Sequence, residues 1–553
     1  MGTRYNLSAM EQRSQHFPTS LSSAKRTAFH WVDANRTHWS RWNSHIWDLA
    51  ETAWREYRSC EWYVTKLKAE GFSVDQGSGG MPTAFSATWS AGSGPTIMAY
   101  AEYDAVPGNC QKAATYRAPR LGLSRFAGGH TDPHSALGIG ALAGLLAAKA
   151  AMEKHSLEGT LRFMGEPAEK MRGSKPIHAA KGYYDGLDAI ISFHPFYMLP
   201  LCNTARWDTH CGPYYCVLYE FLCEDPEHWL TSVDSGSGPP FPAAHTAARA
   251  PGANDAVAAM YTLSKMLRDH MLPHAGTWTV NEIILASGQA TADNLAAQMA
   301  QIVFAIRAPA IAMLDKVMAV LDRNAEAAAA LSHSRVRKHW VSKSRPGLAN
   351  HVMAEAVYGN LRAAGAPRWE GESLAVAQAM QRELGLEPMA QPFLPEIGEL
   401  VEPRAAEAKI RADIPAWQTH YTSDDYTDMS WHAPTARFYV GRPALTAPAG
   451  FHYPDWVMNA LGGIPETIDP TITTAAKTIA GTILDLMTDS RILARARAEF
   501  IDRTGGGIGG ARWLKPLCDY SPPIGFPWPR YFETAGSREW WIPETAEDRE
   551  LHR

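Results

Sequence analysis

The chain has 553 residues, enough for two or more domains, and its 46% hydrophobic content is that of a globular protein able to bury a large core. Its 52 basic and 57 acidic residues leave a formal charge of -5, and no basic run alternates with aromatics, which argues against nucleic acid or a membrane surface as partner. The first residues carry no apolar core of signal-peptide length and no later window reaches about 18 uninterrupted apolar residues, so a soluble, cytoplasmic protein is expected. Seven cysteines, scattered without CxxC pairs, fit reduced thiols in that compartment.

In chain order, residues 22–71 read as helical, with Trp31, Trp39, Trp42, Ile46 and Leu49 recurring as one apolar face. Residues 72–74, 84–89 and 95–101 read as strands, the last running into Glu102-Tyr-Asp-Ala-Val-Pro. Residues 135–153 form a strongly apolar helix, of the kind that packs on a sheet. Further strands at 160–165 and 188–193 end at Glu166-Pro-Ala-Glu-Lys and at His194. Asp104, Glu169 and His194 thus follow the carboxyl ends of strands separated by helices, the edge at which open α/β sheets bind ligands.

From about residue 201 the character changes. Strands at 213–222, 277–285 and 301–308, with helices at 255–270 and 312–324, give the order βαββα of a small α+β unit. Helices at 325–334, 348–364 and 372–384 follow, then a loop and strand at 426–439 and a packing helix at 471–489 like those of the first half. The second unit therefore reads as inserted into the first. The expected division is 1–205 and 325–500 for the two parts of a catalytic domain, 206–324 for the insertion, and 501–553 for an extension rich in Trp and Pro.

The densest chemistry lies in GGHTDPHSALG, residues 128–138. His130, Asp132 and His134 alternate with Thr131 and Pro133, so in an extended segment they share one side, as half of a metal site would. A polar turn capping the next helix is the alternative that these residues leave open.

In order, AEYDAVPG, GGHTDPHSALG, GEPAEK, SFHPF, AAHTAARAPGANDA, FAIRAP, TDMSW and APAGFH resemble the dinuclear metal amidohydrolase family of aminoacylases, with the indole-acetyl-amino-acid hydrolases and aminobenzoyl-glutamate hydrolase subunits most alike. The resemblance implies a zinc-exopeptidase-like α/β fold, an open mixed sheet flanked by helices, with an inserted α+β lid through which a homodimer or higher homo-oligomer forms. It implies amide hydrolysis of a small N-acyl amino acid or dipeptide-like substrate with a free carboxylate. Asp132, His134, His194 and His452 fall on metal ligands, and Asp104 on the aspartate that orients a ligand histidine. Glu169 falls on the general base that takes a proton from water. His245 falls on a lid histidine that polarises the scissile carbonyl, and Asn294 and Arg307 match groups that hold a substrate carboxylate. Imidazole and carboxylate donors suit zinc or manganese.

One residue departs from the pattern. Where relatives carry a second glutamate as metal ligand, this chain has Lys170, whose ammonium has no lone pair and repels a dication. One ion rather than two is then expected, with Glu166 a candidate to replace the missing ligand. Two alternatives follow: a metal-independent hydrolase or lyase in which Lys170 stands in for the ion, and a catalytically inert subunit paired with an active relative.

Overall fold

A computed structural model of the chain describes residues 21–196, 198–223, 251–272, 274–288, 296–535 and 538–541. Its larger sheet is built on β1 (Ser73–Gln76), β2 (Phe85–Ala91), β3 (Thr96–Ala101), β4 (Gly159–Gly165), β5 (Ala189–Phe196) and β6 (Thr204–Ala205). A second, smaller sheet contains β7 (Tyr214–Leu222), β8 (Thr279–Ala286), β9 (Met299–Arg307) and β10 (Arg335–Ser344), after which β11 (Thr435–Gly441) returns to the first.

The large sheet has the order β1-β2-β4-β3-β5-β11-β6. β4, β3, β5 and β11 run parallel, and the outer pairings are antiparallel, so this is an open mixed sheet. Every residue of β3 from Ile97 to Ala101 is buried, as in a strand covered on both faces. The helices His134–His155 and Pro465–Thr488 pack on each other within the large core. The first of them is long and apolar enough to cross a membrane, but 89% of its most apolar window is buried inside the fold. Its lack of a polar face is that of a core helix.

The small sheet is antiparallel in the order β10-β7-β9-β8. One face, with Tyr215, Val217 and Tyr219, packs under the helices Ala253–Met271 and Ile311–Leu331. The other, with Tyr214, Cys216 and Leu218, meets Trp54, Met81, Met171 and Ile177 of the large unit. The final segment straps the two together: Trp513 Nε1 donates to the Trp431 carbonyl, Arg345 donates to the Leu514 carbonyl, and Trp528 is buried between the units.

Three differences from the sequence reading have local causes. The helical stretch 22–71 is three helices, Ser23–Ala34, Arg36–Leu49 and Tyr57–Ala69, broken at Asn35, which leaves helical geometry, and at Ala50 and Trp54, which turn left-handed, while the apolar spacing continues across the breaks. The helices expected at 312–324 and 325–334 are one, Ile311–Leu331. Strand β10 has no counterpart among the expected elements because it lies at a sheet edge and exposes Arg335, Arg337 and Lys338, which suppresses its hydrophobic signal.

The segment expected to be extended bends at Thr131 and Asp132, helix His134–His155 starts after Pro133, and it reaches the end of β3 because Gly138 has no side chain. A Cβ there would lie 2.3 Å from the Tyr63 hydroxyl and 2.9 Å from the Glu102 carbonyl. Gly138→Ala is therefore expected to lower unfolding stability by about 1–3 kcal/mol through overpacking. Chemical denaturation reads this, and an unchanged midpoint would contradict the close approach.

Candidate metal centre

Asp104, Asp132, His134, Glu169, Lys170 and His194 come from four separate segments and meet at the carboxyl edge of the parallel strands. Glu102 and Asp104 follow β3, Asp132 and His134 open the buried helix, Glu169 and Lys170 lie on a short turn after β4, and His194 is in β5. That turn is flanked by Ala168 and Arg172, both left-handed with φ of 56° and 54°, a conformation unfavourable for residues with a Cβ. The Ala168 amide donates to Glu56 Oε1 at 2.7 Å, and the Lys170 amide donates to Asp104 Oδ2 at 2.8 Å.

His134 is fully buried. Its Nδ1 lies 2.6 Å from Asp104 Oδ1, which fixes the ring. Its Nε2 has no hydrogen-bond partner but faces three carboxylates, Glu102 Oε2 and Glu169 Oε2 at 3.3 Å and Asp132 Oδ2 at 3.7 Å. Burial and Lys170 oppose a proton on this ring, yet Asp104 and Glu102 hold its pKa up to about 9. His194 behaves in the opposite way: burial pushes it down to about 4. Its Nδ1 lies 2.7 Å from the Pro195 carbonyl, so Nε2 carries the lone pair, 3.6 Å from Asp132 Oδ1.

Asp132 is thus approached on two sides. His194 stands at Oδ1, and Lys170 Nζ contacts Oδ2 at 2.5 Å. Burial works against the Lys170 charge, but Asp132, Glu169 and Asp104 keep the ammonium protonated well above its ordinary range. Glu169 accepts from Arg172 at 2.5 Å; against its burial, Arg172, Lys170 and His134 hold its carboxyl far below the usual range. Beneath these groups Lys175, completely buried, bridges Glu102 Oε1 at 2.8 Å and Asp425 Oδ1 at 2.6 Å. Arg437 pairs with Asp424.

Among the described residues, Glu102, His134 and His194 offer three ligand atoms that lie within 4.8 Å of one another, a group that could hold a divalent ion. His194 Nε2 carries a lone pair 3.6 Å from Asp132 Oδ1, whereas His134 Nε2, held protonated up to about 9, coordinates only after losing that proton. The other side of Asp132 is filled by an ammonium. The remaining expectations divide. His452 is exposed and joins none of the groups of converging metal donors among the described residues. Glu166 is committed to His178 Nδ1 at 2.9 Å and Tyr184 Oη at 2.6 Å, so it does not replace the missing ligand. His245 and Asn294 lie outside the described residues.

Above the centre is a cavity of about 540 Å³, with Asp132, Glu169 and His194 on one side and Trp278, Thr279 and Arg307 on the other. Arg307 donates to Ser423 Oγ at 2.9 Å and Thr279 Oγ1 at 3.3 Å. It forms no ion pair with a carboxylate among the described residues. Sequence reasoning does not single out Glu102, Arg172, Lys175, Asp424, Asp425 or Arg437, all of which line or support the centre.

No family model matches the chain. It is similar to a p-aminobenzoyl-glutamate hydrolase subunit of Escherichia coli (strain K12), with 27% identity over 488 residues covering 85% of this chain and 93% of that one. Among solved structures, an aminobenzoyl-glutamate utilization protein from Klebsiella pneumoniae is 14% identical, with a TM-score of 0.49, over 82% of this chain and 98% of its own. A dinuclear metal binding peptidase of the M20 family from Bacillus subtilis is 14% identical, with a TM-score of 0.41, over 82% and 99%. The eight ordered motifs and the similarity to a hydrolase subunit along 93% of its length both support the resemblance to the dinuclear metal amidohydrolase family.

Proposed function

We propose that the protein hydrolyses the amide bond of a small N-acyl amino acid or dipeptide-like substrate with a free carboxylate, using one divalent ion, zinc or manganese, with the Lys170 ammonium in the place of a second. The observation that carries this reading is Asp132, whose two oxygens face His194 on one side and Lys170 on the other. A divalent ion held by Asp132, His134 and His194 would supply Lewis acidity for a scissile carbonyl and for attacking water.

The protein's own groups do the rest. Arg307, set in the cavity wall without a carboxylate partner among the described residues, is placed to bind the substrate carboxylate, and its planar fork suits that group. Trp278, Tyr421 and Tyr439 give the wall an aromatic character suited to an aryl acyl group. The E. coli relative's named substrate joins an aryl acyl group to glutamate, the same pair of features. Glu169 Oε2 takes the proton from water and passes it to the departing amine. Its pairing with Arg172 keeps the carboxylate ionised and aimed, at the cost of basicity. Lys170 Nζ, 3.6 Å from Glu169 Oε2, adds positive charge where an oxyanion develops. His245 would assist from the insertion, and assembly through that unit, with itself or with a different subunit, completes the proposal.

The same cavity could work without an ion if Lys170 alone stabilised the oxyanion, the reading favoured by its firm charge. Three outcomes test the proposal. Glu169→Gln should reduce hydrolysis of p-aminobenzoyl-glutamate or an N-acyl amino acid by about 10²–10⁴-fold with the fold intact by circular dichroism, and retained turnover would remove Glu169 from the mechanism. Elemental analysis of protein purified without chelators should give one ion per chain, rising to two in Lys170→Glu; full activity after complete metal removal would favour the metal-independent reading. Because binding an ion displaces the His134 proton, held up to about 9, apparent metal affinity should climb with pH from about 7 to about 9 and level off above. A flat profile by equilibrium dialysis would contradict this.

A further inference from the structure

A catalytic ion keeps three protein ligands and one open position, and Asp132 joins none of the groups of three converging donors among the described residues, so a site on His134 and His194 needs one further donor. Each donor that the family pattern would add is elsewhere: Lys170 cannot coordinate, His452 is exposed, and Glu166 is bound to His178 and Tyr184. Glu102 is not elsewhere. It is fully buried at the end of β3, and its Oε1 is fixed by Lys175 Nζ at 2.8 Å, itself held by Asp425 at 2.6 Å. Oε2 is left without a hydrogen-bond partner, turned toward the equally unpartnered Nε2 of His134 at 3.3 Å. Neither buried atom makes a hydrogen bond, and the two face each other across an ion-pair distance. The distance is the one expected of two ligands on one ion, since atoms about 2.0–2.1 Å from a tetrahedral zinc lie about 3.3 Å apart. His194 completes the group: its ligand atom and those of Glu102 and His134 all lie within 4.8 Å of one another.

We propose that Glu102 is a metal ligand, replacing the donor lost to Lys170, so that the ion sits on Glu102 Oε2, His134 Nε2 and His194 Nε2 with Asp132 Oδ1 alongside. The inference rests on the single-ion reading above. Lys175 is then a positioning residue, which by occupying Oε1 orients Oε2 toward the ion. The arrangement moves the ion to the β3 side of His134, away from the Lys170 ammonium, which keeps the like charges apart. It also gives the buried Lys175–Asp425 pair a purpose in metal binding.

The test is zinc affinity of the full-length protein, stripped by dialysis against chelator and titrated in competition with a chromophoric chelator. Glu102→Gln keeps the shape of the side chain but presents a weak neutral donor, and should raise the zinc Kd by at least about 100-fold. Lys175→Met should raise it by about 10-fold, the effect of a lost orienting group. Glu102→Asp, which withdraws the carboxylate by one methylene, serves as the second variant if Glu102→Gln fails to fold, and should also weaken binding. Wild-type protein that binds one zinc, with folded Glu102 variants of unchanged affinity, would overturn the role of Glu102 and leave the single-ion reading standing. Wild-type protein that binds no zinc would overturn both.

Discussion

The contact between the Lys170 ammonium and Asp132 sets the electrostatics of the whole centre. Six carboxylates, from Glu102, Asp104, Asp132, Glu169, Asp424 and Asp425, converge with four fixed cations, from Lys170, Arg172, Lys175 and Arg437. With the His134 proton in place one negative charge remains, and once an ion displaces that proton two remain, the number that a divalent ion cancels. With two ions and Lys170 together the centre would carry an excess of positive charge in a buried setting, which is costly. The excess of carboxylate is visible in the groups themselves: burial, against the pull of Lys175 and His134, pushes Glu102 up to about 7, and burial with Glu169, Asp424 and Glu102 pushes Asp425 up against Lys175.

The fold delivers these groups by a general device. Parallel strands end on one edge, and the loops that follow carry the chemistry. What is particular is how tightly the edge is closed. Gly138 lets the buried helix touch the end of β3, so that His134 reaches both acidic residues that follow that strand. The small sheet contributes Arg307 from the end of β9, opposite the acidic centre, and the cavity between is bounded by both sheets. The terminal segment touches both units, through Trp513 and Leu514 on the large one and through Asp519 and Tyr520, which bond Lys343 of β10, on the small one.

Much of this is legible in the sequence. The strands of the parallel core, the buried helix beginning at the metal motif and the first five elements of the second unit, up to its last strand β10, follow from apolar runs bounded by turn residues. The donors Asp132 and His134 are legible as a dense polar motif, although the expected extended segment is a bend at Asp132 closed by a bond from the His134 amide to the Asp132 carbonyl. The i, i+2 rule for extended segments, applied to AEYDAVPG, finds Glu102, which shares a side with Asp104, although the motif draws attention to Asp104 alone. Two kinds of feature are not legible. Left-handed turns at Ala50, Ala168 and Arg172 have no residue signature, since each is a non-glycine held by its surroundings. His452 lies in a motif that matches by residue type, yet the path of the chain leaves it exposed, and only coordinates reveal that.

The most direct measurement of the central claim is anomalous diffraction at the zinc absorption edge from crystals of the zinc-loaded protein. One peak beside His134 and His194, with Lys170 Nζ still against Asp132, is the expected result. Two peaks flanking Asp132, with Lys170 displaced into the cavity, would contradict it.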